Sequence, residues 1–284
     1  MMIGTRLVVG GLLVALLGTG AWAQAILERW QSGREIGGQL MYLPNGRYLK
    51  VASFGYAPLL ADLIYLWSIQ YYGTYDREVR YDIVEHVYVD VIGELDPLYS
   101  DAFLMGSLIL SVEARAPERA LEILDIGMER NPEDWILPFE AGFVAYNQLR
   151  DFERAAGYYK RCAAIPGAHP VARRFHAEMF NRMGDKQTSY AKWLEVYETA
   201  EDDFVRDVAY SHVHDLRIEI DVEALQAAVE IYRENHGSYP ASLKALVAAG
   251  LIQALAVDPE GESYTYDPST GEVGSQSKYR LWRR

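Results

Sequence analysis

The chain has 284 residues, of which 50% are hydrophobic and 24% charged, with a formal net charge of −13 and a single cysteine. A chain of this size and composition can bury a sizeable core. Its composition excludes a collagen-like or wholly disordered protein. The excess of acidic residues opposes binding to a phosphate backbone, so we expect no nucleic-acid partner. One cysteine excludes an intramolecular disulfide and any site built from several thiolates.

An uncharged apolar segment, residues 7–23, follows Arg6. Its length lies near the lower limit for a membrane-spanning helix, which has roughly 17–25 residues. The sequence Ala-Trp-Ala at 21–23 is also typical of a signal-peptide cleavage site. Residues 1–30 are therefore interpreted as a transmembrane anchor, with a cleaved signal segment as the alternative. In both cases we expect the body of the chain to be exported to the periplasm or cell exterior, membrane-anchored in the first case and free in the second.

Residues 31–54 are rich in glycine and polar side chains and are interpreted as a juxtamembrane linker. Asn45-Gly46 within it separates two short apolar runs, a pattern that predicts a β-hairpin. Residues 56–72 then have apolar side chains at helical spacing and predict a helix that is buried on more than one side. Asp62 lies in this run. We interpret it as a buried acid that caps or pairs at a helix junction, with a functional carboxylate as the alternative.

The middle of the chain repeats a pattern of small and large residues with a period of about 35 residues. In residues 97–132, 133–166 and 167–200 a small residue is followed four positions later by a large one, and a proline ends the first two of these three stretches. Small residues let antiparallel helices approach closely, large residues fill the gap to the next pair, and prolines end the helices. We assign this repeat packing to Gly106, Ala120, Leu124, Pro132, Gly142, Ala155, Tyr159, Pro166, Ser189 and Trp193.

This period and these positions resemble the tetratricopeptide repeat, a helix–turn–helix unit of about 34 residues. The resemblance covers residues 55–200, and one or two extra residues lengthen each inter-helix turn. The units are 55–96, which is degenerate, 97–132, 133–166 and 167–200. The resemblance implies an all-α fold, in which a tetratricopeptide-like solenoid of helix hairpins occupies residues 55–221. It also implies a concave groove that binds a protein or peptide partner.

Residues 222–284 are predicted to form a small α+β module that caps the solenoid. The pattern predicts a helix over 201–219, a second amphipathic helix over 222–236 that ends at Gly237, and a short helix over 242–250. A strand at 264–266 and a turn at 267–271 follow, with a second strand after them.

This C-terminal module contains two short motifs, Gly237-Ser238-Tyr239-Pro240 and Asp258-Pro259-Glu260-Gly261, on either side of the short helix. The combination resembles the region after the long helix in type II secretion pseudopilins and type IV pilin-like proteins. That resemblance implies a place in a cell-envelope assembly, such as a pilus or secretion system. Some calcium-binding pseudopilins carry acidic ligands in this loop, and Asp258, Glu260 and Asp267 are the acids present here. Turn-forming acids are the alternative interpretation.

The sequence contains no nucleophile-elbow, zinc-protease, P-loop or dinucleotide-binding motif, so we expect no enzyme, no cofactor and no resident metal. Helical residues two positions apart, such as His212 and His214, point about 200° apart and cannot chelate one metal. The function indicated is an exported, membrane-tethered scaffold that binds a protein or peptide. The alternative is an exported enzyme or metal-dependent binding protein that uses the tyrosine-rich N-terminal helices and the region of the two histidines.

Overall fold

The computed structural model describes residues 43–73 and 80–281. These residues are mostly helical, with one small two-stranded sheet, which confirms the predicted fold class at this level. The predicted anchor or signal segment, residues 1–30, lies outside the described residues. In the part of the chain that is described, no helix is both long enough and apolar enough to cross a membrane.

The chain divides into two compact units between Ile109 and Leu110. The domain boundaries predicted after residues 54 and 221 stay predictions. In the first unit the described elements are α1 (Gly46–Ala52), α2 (Ala57–Tyr72), a 3-10 turn (Arg80–Ile83), a π-helical segment (His86–Ile92), α3 (Gly93–Leu95) and α4 (Ser100–Leu108).

The segment predicted as a β-hairpin around Asn45 and Gly46 is the start of helix α1, so that prediction is wrong. The Asn45 side chain caps the helix by accepting a hydrogen bond from the Arg47 backbone N–H, at 3.0 Å. A Cβ atom at Gly46 would overlap the carbonyl oxygen of Val91. Asn45 therefore serves as the N-cap of α1, and Gly46 allows the close contact with Val91. The same dipeptide also favours a hairpin turn, which is why the sequence pattern was misleading here.

Asp62 is exposed on the outer side of α2, so the prediction of a buried acid is wrong. The side of α2 that packs inward carries small residues and tyrosines, among them Ala57, Ala61 and Tyr72. The contact of Asp62 is the hydroxyl of Tyr99. Burial, followed by the charge of Asp62 and its hydrogen bond, raises the pKa of Tyr99 to about 12.

The second unit is an array of antiparallel helices followed by a small hairpin. The second unit begins within a π-helical turn, Ile109–Glu113. Its helices are α5 (Pro117–Arg130), α6 (Ile136–Val144) with a π-helical continuation (Ala145–Leu149), α7 (Phe152–Ala164), α8 (Val171–Arg182), α9 (Lys186–Thr199), α10 (Asp203–His236) and α11 (Leu243–Ala248). From α5 to α10, each helix packs against the next one along the chain. This is the predicted succession of helix hairpins.

The ends of these helices follow from local sequence. Helices α7, α9 and α10 begin at aspartates whose side chains accept a hydrogen bond from a backbone N–H three residues later. Helices α5 and α7 end two residues before the exposed Pro132 and Pro166. The extra residue of the inter-helix turn after α6 lies in its π-helical continuation, which Arg150 ends in a left-handed conformation, with φ of 57°.

The predicted repeat-packing residues other than the two prolines are buried. One close crossing pairs α6 with α7, where a Cβ at Gly142 would lie 2.8 Å from the ring of Tyr159. At the crossing of α8 and α9, the Ser189 hydroxyl donates a hydrogen bond to the carbonyl of Ala177, at 2.9 Å. Small residues therefore occupy helix crossings, where larger side chains would hold the helices apart.

Helix α10 is one continuous helix where two were predicted, over 201–219 and 222–236. Its first half shares a core with Trp193 of α9. Its second half packs, through Leu225 and Val229, against α11 and the hairpin formed by β1 (Thr265–Asp267) and β2 (Glu272–Gly274). The Gln226 side chain hydrogen-bonds the β2 backbone at Val273 and the carbonyl of Gly271, each at 3.0 Å. The hairpin is thus fixed to the same helix that closes the array.

Candidate functional site

A pocket of about 170 Å³ lies between α8, α9 and α10. Arg174, Phe175 and Glu178 line it from α8, Trp193 from α9 and His212 from α10. Helix α8 opens the repeat 167–200 and α10 follows that repeat, so the pocket lies where the last repeat meets the helix that closes the array. Repeat solenoids bind their partners on such extended surfaces.

The rings of His212 and Trp193 stack in this pocket, with an interplanar angle of 3° and centroids 3.8 Å apart. Trp193 is 2% exposed. Burial, supported by the positive charge of Arg174 and partly opposed by Asp215, lowers the pKa of His212 to about 4. His212 is therefore neutral at physiological pH, and the cation of the pocket is Arg174.

Two residues that line the pocket each have a buried hydrogen-bond donor without an acceptor. The indole Nε1 of Trp193 and the Nε of Arg174 are both buried and unpartnered in the described part of the chain. Glu178, which lies one helical turn from Arg174, is paired with Arg182 instead, at 2.8 Å. A buried donor without an acceptor costs about 1–3 kcal/mol. A ligand that supplies an acceptor oxygen would recover this free energy.

A larger cavity of about 430 Å³ lies at the ends of the same helices, and its cation, Arg173, and its capping acid, Asp202, are already paired. Arg173 donates to the hydroxyl of Thr199 at 3.2 Å, and Asp202 caps α10 through the backbone N–H of Val205 at 3.0 Å. The smaller pocket is the better candidate site because its donors are the ones left unsatisfied.

The folded chain should lose stability on mild acidification through His212. Because the pKa of His212 is about 4 when folded and about 6.5 when unfolded, the unfolded state binds more protons between these values. We expect His212→Phe, which preserves the stack on Trp193, to remove this contribution. The free energies of unfolding of wild type and variant, measured at several pH values, should differ by a constant above about pH 7 and diverge below it, where the wild type loses more stability. Parallel profiles down to pH 5 would contradict the assignment.

His214 is turned away from this pocket, as predicted for a helical residue two positions from His212. Its Nδ1 lies 2.9 Å from a carboxylate oxygen of Asp215, and both side chains are buried. Asp215 also accepts hydrogen bonds from the backbone N–H groups of Arg280 and Leu281, each at 2.9 Å. This buried carboxylate holds the C-terminal segment against α10 and has no access to solvent.

The acids of the predicted calcium loop do not converge. Asp258 accepts hydrogen bonds from the hydroxyls of Ser275 and Ser277 and from two backbone N–H groups of its own loop. Asp267 is bonded to Ser269 within the hairpin turn. Within residues 43–73 and 80–281, no group of three His, Cys, Asp or Glu side chains could hold a metal ion. In these residues the acids therefore act as turn and loop formers.

The buried tyrosines of the N-terminal helices belong to the core of the first unit. Tyr71 and Tyr72 are each 3% exposed, and Tyr72 stacks on Tyr88 with centroids 5.9 Å apart. In the second unit, Cys162 donates to the carbonyl of Trp135, and burial raises the pKa of its thiol to about 11. These side chains pack, and none of them faces the pocket.

Sequence reasoning assigned Trp193 to repeat packing and did not identify Arg174 as a site residue. The available signal was the spacing, because Arg174 and Glu178 lie one turn apart on the first helix of the third repeat. What distinguishes Arg174 is that Glu178 pairs with Arg182 instead. That choice of partner is visible only in three dimensions.

Comparison with known proteins assigns no family to this chain. No protein-family model matches it, and no curated protein matches it. One similar solved structure is a thermophilic TPR protein from Thermus thermophilus, with 18% sequence identity and a TM-score of 0.35. The matched region covers 58% of this chain and 94% of that one. A likeness at this level carries no argument about function.

Proposed function

We propose that this protein is a non-enzymatic interaction scaffold whose helix-hairpin array binds a partner protein or peptide in its groove. The observation that carries the proposal is the pocket of unpaired donors between α8, α9 and α10. Catalysis requires groups placed to transfer protons or to attack. In the described pocket Glu178 is paired with Arg182, and the His212 imidazole, with a pKa of about 4, is a weak base. The groups that remain are the Arg174 cation and the Trp193 indole N–H, which suit recognition.

The partner group that best fits this pocket is a carboxylate. Arg174 presents a guanidinium whose Nε has no acceptor, and guanidinium groups bind carboxylates in a planar, bidentate manner. The unpartnered N–H of Trp193 can only donate, so it also requires an acceptor. The volume of about 170 Å³ suits a side chain or a short chain end and is too small for a cofactor.

Binding of matched peptides tests this proposal. We expect acetyl-Ala-Glu-Ala-amide to bind and its Gln counterpart to bind at least about tenfold more weakly, because a hydrogen bond to a charged group contributes about 1.5–3 kcal/mol. Arg174→Gln should remove this preference. The matched control is Arg173→Gln, since Arg173 faces the other cavity. Equal affinities of wild type and Arg174→Gln for the Glu peptide, measured by calorimetry, would contradict the proposal.

We further propose that the scaffold is tethered to a membrane by residues 7–23 and works in a cell-envelope assembly, such as a pilus or secretion system. The uncharged segment and the pilin-like order of the C-terminal motifs support this placement. The full chain should then stay in the membrane pellet after high-salt and alkaline washing. Release of a soluble chain that begins at Gln24 would instead establish a cleaved signal.

A further inference from the structure

Helix α2 has an outward face that is as apolar as its inward face. Leu59, Leu63 and Leu66 lie at positions i, i+4 and i+7 and are 56%, 56% and 58% exposed. Tyr56, 70% exposed, continues this face at the start of the helix. We call these four residues the α2 outer face. Soluble monomers seldom leave a contiguous stripe of large apolar side chains in water, so such a face marks an interaction surface.

The chain just before α2 carries the side chains that usually border such a surface. Tyr48, Val51 and Phe54 are 71%, 81% and 91% exposed. Arg47 and Lys50 are exposed on α1, which also carries Tyr48 and Val51. The Lys50 ammonium donates to the carbonyl of Glu94 at 3.4 Å. Helices that lie in a membrane interface typically have leucines bordered by aromatic and basic residues. The basic side chains also suit anionic lipid headgroups.

The position of this unit in the sequence points to the same partner. Residues 7–23, the proposed anchor, are separated from Asn45 by about 21 residues, which reach at most about 75 Å when fully extended. If residues 7–23 lie in the bilayer, the start of α1 can be no more than about 75 Å from it, so the first unit can reach the membrane surface. Asp62 is the acid nearest this face. It lies at the edge of the leucine stripe and accepts a hydrogen bond from the hydroxyl of Tyr99, so it does not interrupt the stripe.

We propose that the α2 outer face lies in the surface of the lipid bilayer, parallel to it, as a second membrane contact in addition to the anchor. A helix of 16 residues is about 24 Å long, too short to span the hydrocarbon core but well suited to lie along it. This contact would fix the orientation of the first unit on the membrane. It rests on the membrane tether proposed above.

Spin-label accessibility in the full-length chain tests this inference. Leu63→Cys places a nitroxide on the α2 outer face, and Glu153→Cys places one on an exposed site of α7 as the matched control. The native Cys162 can remain in place, because it is buried and its thiol pKa is about 11, so it labels slowly. The wild type, treated with the same reagent, gives the background signal.

The labelled chains are reconstituted with vesicles of phosphatidylethanolamine and phosphatidylglycerol and collected by flotation. We expect the nitroxide at 63 to gain oxygen accessibility and lose accessibility to a water-soluble nickel complex, while the nitroxide at 153 stays accessible to nickel. Failure to float would overturn the membrane tether and this inference with it. Flotation with a nickel-accessible label at 63 would overturn this inference alone. Spin–spin broadening at 63 would also overturn it, because the face would then be covered by a second copy.

Discussion

Tyr159→Ala is expected to lower the free energy of unfolding by about 3–5 kcal/mol, the range for truncation of a large buried aromatic side chain. Tyr159 is fully buried and its ring lies against Gly142 of the preceding helix and Phe175 of the following one. Its removal would leave a cavity where α6, α7 and α8 meet. Denaturant unfolding monitored by circular dichroism measures the effect.

Tyr159→Phe is the matched control for this prediction. The hydroxyl of Tyr159 is buried without a hydrogen-bond partner in the described part of the chain, and burial is the first cause that raises its pKa. Removal of an unsatisfied hydroxyl should be neutral or stabilising, since the folded chain no longer buries an unpaired polar atom. If Phe destabilises as much as Ala does, the hydroxyl is satisfied in solution and the cavity is not the cause of the loss.

Asp215→Ala is expected to destabilise the second unit by several kcal/mol, because each buried donor that loses its acceptor costs about 1–3 kcal/mol. The substitution leaves the N–H groups of Arg280 and Leu281 and the Nδ1 of His214 without their acceptor. The C-terminal segment should then detach from α10. Trypsin would cleave after Lys278 and Arg280 much faster than in the wild type.

The control for Asp215→Ala is Asp207→Ala, two turns earlier on α10. Asp207 is exposed, so its loss should change stability by no more than about 0.5 kcal/mol and leave the cleavage rate unchanged. An Asp215→Ala variant with wild-type stability and tryptic pattern would show that the carboxylate does not hold the C-terminal segment.

The helix array could be predicted from the sequence because its determinants are steric and local. Small residues such as Gly142 and Ser189 lie at helix crossings. A large residue follows four positions after the serine, at Trp193, and this spacing recurs with the period of the hairpin. The same reasoning failed at Asn45, because an Asn-Gly pair suits both a hairpin turn and a helix start. Only the close contact of Gly46 with Val91 decides between them.

The face on which a helix is buried is harder to read when the helix is apolar all round. In α2 the small residues Ala57 and Ala61 face inward and Leu59 and Leu63 face outward, the reverse of what residue size alone favours. Asp62 was expected to be buried because it lies among these leucines, which face outward. The pocket was missed for a related reason, since the importance of Arg174 lies in an ion pair that Glu178 makes with another arginine.

The indole N–H of Trp193 tests the central claim most directly, because it is one of the two buried donors without a hydrogen-bond partner among the residues that line the described pocket. Its ¹H–¹⁵N signal, assigned by comparison with Trp193→Phe, can be followed while acetate is added, with acetamide as the uncharged control. We expect a saturable downfield shift with acetate, a smaller one with acetamide, and none with acetate in Arg174→Gln. A Trp193 signal that stays in place while acetate, or the glutamate peptide, binds elsewhere on the chain would contradict the assignment of the pocket as a carboxylate site.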